Sequence, residues 1–246
     1  MRTLLVIKLG STYSWVSREI GDFDDWIITG MRAFPGKILA VSPPLGQPLP
    51  PPGEISGAVL TGSHSMVTSR EKWSEDTVAW LVEALRLEIP LLGICYGHQL
   101  LARAAGGVGV VGYNPRGREF GTTEVRLLDK SGADPIFSQL PSPLRVHVCH
   151  AQSVLELPPG AIPLASNTHD PHHAFRIGRN AWGVQFHPEF QPAAARAYIE
   201  HHAEDLRAEG QDPQKLLDGV RDTPDSGSIL QKFAEFVAVE SGGINP

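Results

Sequence analysis

Short apolar runs alternate along the chain with longer segments in which apolar residues recur at helical spacing. These runs predict nine β-strands, at residues 3–9, 37–41, 57–60, 90–94, 123–128, 144–148, 162–165, 173–177 and 181–186. The first four consist mainly of consecutive apolar residues, which is typical of strands covered on both faces in a parallel sheet. The pattern predicts an α/β fold with a doubly wound, mostly parallel sheet flanked by helices.

Two helices are predicted between the early strands. Ser74 is a suitable N-cap for the first of them. One apolar face of that helix consists of Val78, Leu81 and Leu85. The second helix covers residues 99–105 and is closed by the glycine pair at 106–107.

The second half of the chain changes character twice. From residue 123 the strands follow one another with only short turns, which predicts an antiparallel or mixed section that returns to the sheet at 181–186. Beyond Pro192 the pattern is helical, at residues 193–208, 213–220 and 228–240. We therefore expect one α/β domain at residues 1–190 and a helical C-terminal extension at 191–246 that packs on the same domain.

Charge and composition argue against nucleic acid and membranes as partners. The chain has 246 residues with 21 Lys and Arg against 27 Asp and Glu, a formal net charge of −6, so it lacks the basic surface of a nucleic-acid-binding protein. No apolar run approaches the roughly 18 residues of a membrane-spanning helix, and Met1 leads into a strand rather than a signal peptide. We expect a cytoplasmic protein with neither nucleic-acid nor membrane partners, whose two cysteines are free thiols.

No motif indicates a cofactor or a metal ion. Neither a P-loop nor a dinucleotide-binding G-x-G-x-x-G occurs. His169, His172 and His173 lack a recognisable set of accompanying cysteines or carboxylates, which favours a polar turn before a strand. The sequence therefore predicts a protein without cofactor or metal.

A candidate nucleophile lies where a buried strand ends and a helix begins. Residues 93–99 have the sequence Gly-Ile-Cys-Tyr-Gly-His-Gln, which matches the G-x-nucleophile-x-G turn with Cys95 in the place of serine. Unpaired N–H groups at the start of the helix favour a thiolate there. An isolated free cysteine is usually a small buried apolar residue, but the glycines on both sides of Cys95 favour a nucleophile.

A candidate base lies at the end of the last predicted strand. Residues 183–189 have the sequence Gly-Val-Gln-Phe-His-Pro-Glu. A cysteine nucleophile needs an imidazole to accept its proton, and the imidazole needs a carboxylate to orient it. His187 and Glu189 meet both needs, so Cys95, His187 and Glu189 form the predicted catalytic triad.

These two motifs resemble those of the class I glutamine amidotransferases, a family of Cys-His-Glu hydrolases that includes the amidotransferase domain of GMP synthase. The resemblance rests on residues 93–102 (GICYGHQLLA) and 183–189 (GVQFHPE). Weaker matches follow the order of the family at residues 60–63, 118–121 and 148–154. Together the matches cover about residues 4–190.

The resemblance implies a covalent mechanism and a set of site residues. Cys95 would attack the side-chain amide of glutamine to give a γ-glutamyl thioester and ammonia, and water would then release glutamate. The N–H groups of Gly62 and Tyr96 would form the oxyanion hole, and Gln99 would contact the bound glutamine. The α-amino and α-carboxylate ends of the substrate would be held by backbone groups of His150, Ala151 and Gln152.

Three functions stay open at this point. The leading one is a glutamine-hydrolysing enzyme that acts alone or with a separately encoded ammonia-accepting synthetase, since no synthetase domain follows the triad. A γ-glutamyl peptidase for glutathione-like peptides or conjugates is the alternative, because plant enzymes of that kind are similar at residues 61–64, 97–99 and 149–152. Gln152 also departs from the amidotransferase pattern, where an acidic residue is usual in the loop that holds the substrate. The third is a catalytically silent binding or regulatory module, against which the intact triad argues.

Overall fold

The structure, a computed structural model, describes residues 2–242. Eleven strands lie in this part of the chain: β1 (Thr3–Ile7), β2 (Lys37–Val41), β3 (Gly57–Leu60), β4 (Leu91–Ile94), β5 (Val111–Tyr113), β6 (Glu119–Leu127), β7 (Leu144–His150), β8 (Gln152–Val154), β9 (Ile162–Ser166), β10 (Ala174–Ile177) and β11 (Ala181–Val184). Nine of them form one sheet in the order β2-β1-β3-β4-β11-β10-β9-β6-β7, and β5 pairs with β8 separately. The pairs from β2 to β11 are parallel, and those from β11 to β7 are antiparallel. The predicted α/β fold, with parallel central strands and a mixed later section, is confirmed.

Eight α-helices occur in the described residues: α1 (Ser14–Ile20), α2 (Phe23–Gly30), α3 (Lys72–Arg86), α4 (Tyr96–Gly106), α5 (Pro192–His201), α6 (Ala203–Ala208), α7 (Pro213–Asp218) and α8 (Pro224–Glu240). None of these helices is both long and apolar enough to cross a membrane.

Alternate residues of the parallel strands face two separate cores, because successive side chains of a strand point to opposite faces of the sheet. On one face, Leu4 of β1 belongs to the same apolar cluster as Ile27 of α2 and Phe233 of α8. On the other face, Leu5 belongs to a cluster that includes Leu101 of α4. Both faces are therefore covered by helices, as expected for a doubly wound sheet.

The C-terminal helix α8 takes part in the main core. It contacts α2 and β7, and buries Phe233 and Val237 completely. The division into a domain at residues 1–190 and an extension at 191–246 stays a prediction, and residues 243–246 of that extension lie outside the described part of the chain.

The structure differs from the sequence prediction at several element ends. Ser74 is not an N-cap: α3 begins two residues earlier, and the buried Ser74 hydroxyl instead lies 2.8 Å from the Tyr96 hydroxyl. The predicted helix at 193–208 is two helices, because the backbone of His202 leaves helical geometry at ψ 12°. The strands β5 and β8 were not predicted, since three residues are too few to show a period.

Candidate active site

Cys95 occupies a strained turn between β4 and α4. Its φ of +49° lies in the left-handed region that residues with a Cβ rarely adopt. A Cβ on Gly93 would collide with the carbonyl of Gly97, and one on Gly97 would lie 2.6 Å from the Leu60 carbonyl oxygen. The two glycines therefore allow the strand, the turn and the helix to pack closely enough to hold the Cys95 thiol at the sheet edge.

The order of the parallel strands brings the predicted triad together. Strand β4 lies between β3 and β11, and the Cys95 N–H donates a 2.8 Å hydrogen bond to the Val184 carbonyl at the end of β11. A Cβ on Gly62, just beyond β3, would lie 3.0 Å from His187 Cε1 and 3.9 Å from Cys95 Cβ. The carboxyl ends of three neighbouring parallel strands thus converge at one place, which is where sites form in such sheets.

His187 and Glu189 form a tight buried pair. His187 Nδ1 lies 2.7 Å from Glu189 Oε1, and the His187 ring stacks on Phe190 with centroids 4.1 Å apart. Burial by itself lowers the pKa of His187, but the charge of Glu189 and the neighbouring Cys95 raise that pKa to about 10. The geometry therefore favours an imidazolium that the carboxylate orients from one side and that faces Cys95 from the other.

The two predicted oxyanion donors lie next to this group. In the described residues, neither the Gly62 N–H nor the Tyr96 N–H forms a hydrogen bond within the protein. Tyr96 is the first residue of α4, where N–H groups lack intrahelical partners. Both donors are therefore free for an oxygen atom of a bound molecule.

Gln99 connects α4 to the turn between β7 and β8, which carries the predicted substrate-binding residues. Its Nε2 donates to the Gln152 carbonyl at 2.7 Å and to Gln185 Oε1 at 3.0 Å. The Gln152 side chain points away from that turn and donates to the hydroxyl of Thr68 in the loop after β3. The turn is thus fixed from both sides by amide hydrogen bonds.

The His150 side chain points into the protein rather than toward Cys95. Its Nε2 lies 3.0 Å from Glu119 Oε2 and its Nδ1 lies 3.1 Å from the Gln152 carbonyl. His150 and its neighbours Ala151 and Gln152 still line the cavity, so the turn is next to Cys95 as expected. The roles predicted for these residues rest on their backbone groups.

A cavity of about 450 Å³ opens above Cys95. Its far wall is aromatic: Tyr13 packs on His64 with ring centroids 4.5 Å apart, and the Tyr198 hydroxyl lies 2.9 Å from His64 Nε2. Arg118 lies at the rim, where it pairs with Asp205 at 3.2 Å and with Glu209 at 3.0 Å.

Sequence analysis did not identify Tyr13 or Tyr198 as site residues. Tyr198 lies on α5, far along the chain from the triad, and no local pattern distinguishes it from a core tyrosine. Burial raises the pKa of Tyr13 to about 12 and lowers that of His64 to about 4. Both side chains are therefore neutral near pH 7, and the wall is uncharged.

More than half of the chain matches a known protein family. The model of a family described as glutamine amidotransferase class-I matches residues 54–205. The chain belongs to this family, whose enzymes hydrolyse glutamine.

Individual relatives give the same assignment. The chain is 40% identical over 191 residues to a glutamine-hydrolysing GMP synthase of Aeropyrum pernix, a match that covers 76% of this chain and 32% of that protein. It is 38% identical over 139 residues to a GMP synthase of Porphyromonas gingivalis, covering 55% and 25% of the two chains. The chain spans about a third of the length of the A. pernix relative. A solved glutamine amidotransferase of Thermotoga maritima shares its fold with a TM-score of 0.74 and 25% identity, over 96% of this chain and 97% of that one.

Proposed function

We propose that this protein hydrolyses the side-chain amide of glutamine to glutamate and ammonia through a γ-glutamyl thioester on Cys95. The observation that supports this most is the convergence of Cys95 with the hydrogen-bonded His187–Glu189 pair at the carboxyl ends of β4 and β11. In a family of glutamine-hydrolysing enzymes, this arrangement has the chemistry of nucleophilic acyl transfer.

In the first half of the reaction, Cys95 Sγ bonds to the amide carbon and the electron pair of the carbonyl moves to its oxygen. His187 holds the proton of the thiol and gives it to the leaving nitrogen, so ammonia departs as the C–N bond breaks. Glu189 stays ionised and keeps the His187 ring in place through Nδ1. The negative oxygen of the intermediate accepts hydrogen bonds from the N–H groups of Gly62 and Tyr96.

In the second half, His187 removes a proton from water, which attacks the thioester carbon. The C–S bond breaks, the thiol regains its proton and glutamate leaves. Gln99 orients the substrate together with backbone groups of the turn formed by His150, Ala151 and Gln152. These groups are already fixed by internal hydrogen bonds, so binding costs little reorganisation.

The ammonia has a natural destination in a separately encoded synthetase. The relatives in A. pernix and P. gingivalis are glutamine-hydrolysing GMP synthases, and the matched regions cover 32% and 25% of their lengths. A cytoplasmic location is part of the proposal, because both cysteines are free thiols and a reducing compartment keeps them so.

The decisive experiment measures glutamate and ammonia release from glutamine, with Cys95→Ala as the blank. Wild-type protein should release both products, and a diazo-ketone analogue of glutamine should label Cys95 and leave Cys149 unlabelled. Equal release by wild type and blank, together with no label on Cys95, would reject the enzyme and favour a binding module.

The aromatic wall supports a second candidate, a γ-glutamyl peptidase. The cavity continues beyond Cys95 to Tyr13, His64 and Tyr198, which leaves room and stacking surface for a leaving group larger than ammonia. Both activities use the same thioester and differ only in the amine that departs.

A substrate panel separates the two candidates. It compares kcat/KM for glutamine, glutathione and γ-glutamyl amides of aromatic amines, again against Cys95→Ala. If the wall binds the leaving group, Tyr13→Ala should lower kcat/KM for the aromatic amides about 10-fold, as expected for the loss of one stacking contact, and leave that for glutamine near wild type. A uniform effect on all substrates would exclude a leaving-group role for Tyr13.

A further inference from the structure

A buried cluster of ionisable side chains lies behind the β7–β8 turn and takes no part in the proposed hydrolysis. One oxygen, Glu119 Oε2, lies 3.0 Å from His150 Nε2 and 3.1 Å from His173 Nε2. These three ligand-type atoms all lie within 4.8 Å of one another. The side chains come from β6, from the end of β7 and from the residue before β10, so only the folded sheet brings them together.

Hydrogen bonding within the protein leaves this cluster incomplete. His173 is fully buried, and in residues 2–242 neither of its ring nitrogens has a hydrogen-bond partner, although Nε2 lies so near Glu119. The Nδ1 of His150 faces the Gln152 carbonyl, which can only accept a hydrogen bond. The Gln152 carbonyl, nearer to Nδ1 at 3.1 Å than the Ser153 hydroxyl at 3.4 Å, favours a proton on Nδ1. His150 Nε2 then faces the Glu119 carboxylate with a lone pair, unless that nitrogen carries a second proton or binds a metal ion.

The negative charge of two buried carboxylates also requires a positive charge at this cluster. Glu119 and Asp170 are both buried, and in the described part of the chain neither carboxylate forms a salt bridge with a lysine or an arginine. Burying unpaired carboxylates is costly. Either two imidazolium ions or one divalent cation would balance the two negative charges.

We propose that Glu119, His150 and His173 bind a divalent first-row transition metal ion, of which zinc is the representative, through Glu119 Oε2 and the Nε2 atoms of both histidines. Two imidazoles and one carboxylate favour such a metal over magnesium or calcium, which prefer all-oxygen sites. The supporting contacts also fit: the Gln152 carbonyl accepts from His150 Nδ1, and Asn167 Nδ2 donates to Glu119 Oε1 at 2.6 Å. The ion would enter from the active-site cavity, which His150 lines.

This assignment revises the expectation of no metal. The sequence grouped His173 with His169 and His172 because they are neighbours in the chain. In the structure the other two histidines bond to backbone carbonyls, His169 to Gly117 at 3.1 Å and His172 to Val154 at 2.8 Å. Only His173 joins the cluster.

The first test is direct titration of the full chain after chelator treatment. It uses Cys95→Ala protein, because a thiol next to His187 could bind the same metals, and because an inactive background makes the result independent of the proposed hydrolysis. Cobalt(II) should bind with 1:1 stoichiometry, show visible d–d absorption without a sulfur charge-transfer band, and be displaced by zinc. No binding of either ion by calorimetry would overturn the proposal and leave an imidazolium cluster in its place.

Variants then assign the ligands. His173→Gln and Glu119→Gln should weaken cobalt affinity at least about 100-fold, the upper end of what outer contacts contribute, whereas His172→Gln in the same turn should bind as its parent does. If either ligand variant fails to fold by circular dichroism, Asn167→Ala provides the second measurement, with an expected loss of roughly 10-fold or more. Unchanged affinity in the folded ligand variants, or equal loss in His172→Gln, would overturn the assignment.

Discussion

The parallel and antiparallel halves of the sheet contribute differently to the site. The parallel half, from β2 to β11, carries the proposed nucleophile and the proposed acid–base pair directly beyond its strand ends. Backbone geometry positions these groups: a positive φ at Cys95, close packing at Gly93 and Gly97, and a hydrogen bond from the Cys95 N–H to β11.

The antiparallel half, from β10 to β7, positions its groups in another way. The turn after β7 accepts a side-chain hydrogen bond from Gln99, and the His150 side chain of this turn lies 3.0 Å from the Glu119 carboxylate. Backbone packing tolerates almost no change in side-chain volume, whereas each hydrogen bond contributes only about 1 kcal/mol. We therefore expect substitutions in the parallel half to abolish chemistry or stability, and substitutions in the antiparallel half to weaken binding.

The largest expected effect comes from His187→Ala, which should lower kcat for glutamine hydrolysis at least about 10⁴-fold, because triad members act as a unit. Steady-state ammonia release measures it, with His172→Ala as a matched histidine control outside the site. Turnover near wild type in His187→Ala would remove this residue from the mechanism.

Glu189→Gln should have the next largest effect, a loss of about 10³- to 10⁴-fold in kcat, since the amide cannot stabilise the imidazolium. Glu189→Gln should also change the pH dependence of kcat/KM. Glu189 raises the pKa of His187 to about 10, so the alkaline decline in kcat/KM should move to lower pH when that charge is lost. A pH–rate profile with an unmoved alkaline limb would contradict the pairing.

Gly97→Ala should destabilise the protein by about 1–3 kcal/mol, because the added methyl meets the Leu60 carbonyl at 2.6 Å. Urea unfolding followed by circular dichroism measures the free energy change. The control is Gly132→Ala, which follows β6 in the antiparallel half and has no atom within 4 Å of the new Cβ. Equal free energies of unfolding for the two variants would show that the turn at Cys95 does not require a glycine at position 97.

Gln99→Ala should have the smallest effect. Gln99 lies on α4 and donates a hydrogen bond to the turn after β7, in the antiparallel half. Losing the hydrogen bonds to Gln152 and Gln185 should raise KM for glutamine about 10-fold, equivalent to about 1.4 kcal/mol, with a smaller change in kcat. Initial rates over a range of glutamine concentrations separate the two constants. A loss confined to kcat would show that Gln99 acts in the chemical step rather than in binding. It would contradict the expected difference between the parallel and antiparallel halves of the sheet.

Sequence analysis was most successful in the parallel half. Strands β1 to β4 were predicted within two residues at their ends because their apolar runs are local and uninterrupted. Cys95 was proposed as the nucleophile from its flanking glycines, and His187 with Glu189 as its partners from a motif of three residues; the structure places the three side chains at one site, and their roles stay predictions. In each case the residues that determine the geometry are neighbours in the chain.

Prediction was weaker wherever geometry depends on distant residues. Ser74 looked like a helix cap, yet its hydroxyl bonds to Tyr96 across two helices. The match at residues 118–121 included Glu119, but gave no sign that its carboxylate meets His150 and His173. Nothing local to Tyr198 indicated that it lines the cavity.

The sequence by itself determined the fold class, the family and the three candidate catalytic residues, because hydrophobic period, glycine spacing and short motifs act over a few residues. Only the tertiary structure decided which strand ends meet, which aromatic side chains form the cavity wall, and which histidine joins Glu119 and His150. Those contacts join residues far apart in the chain, and their distances depend on the strand order β4-β11-β10-β9-β6-β7 rather than on any local pattern.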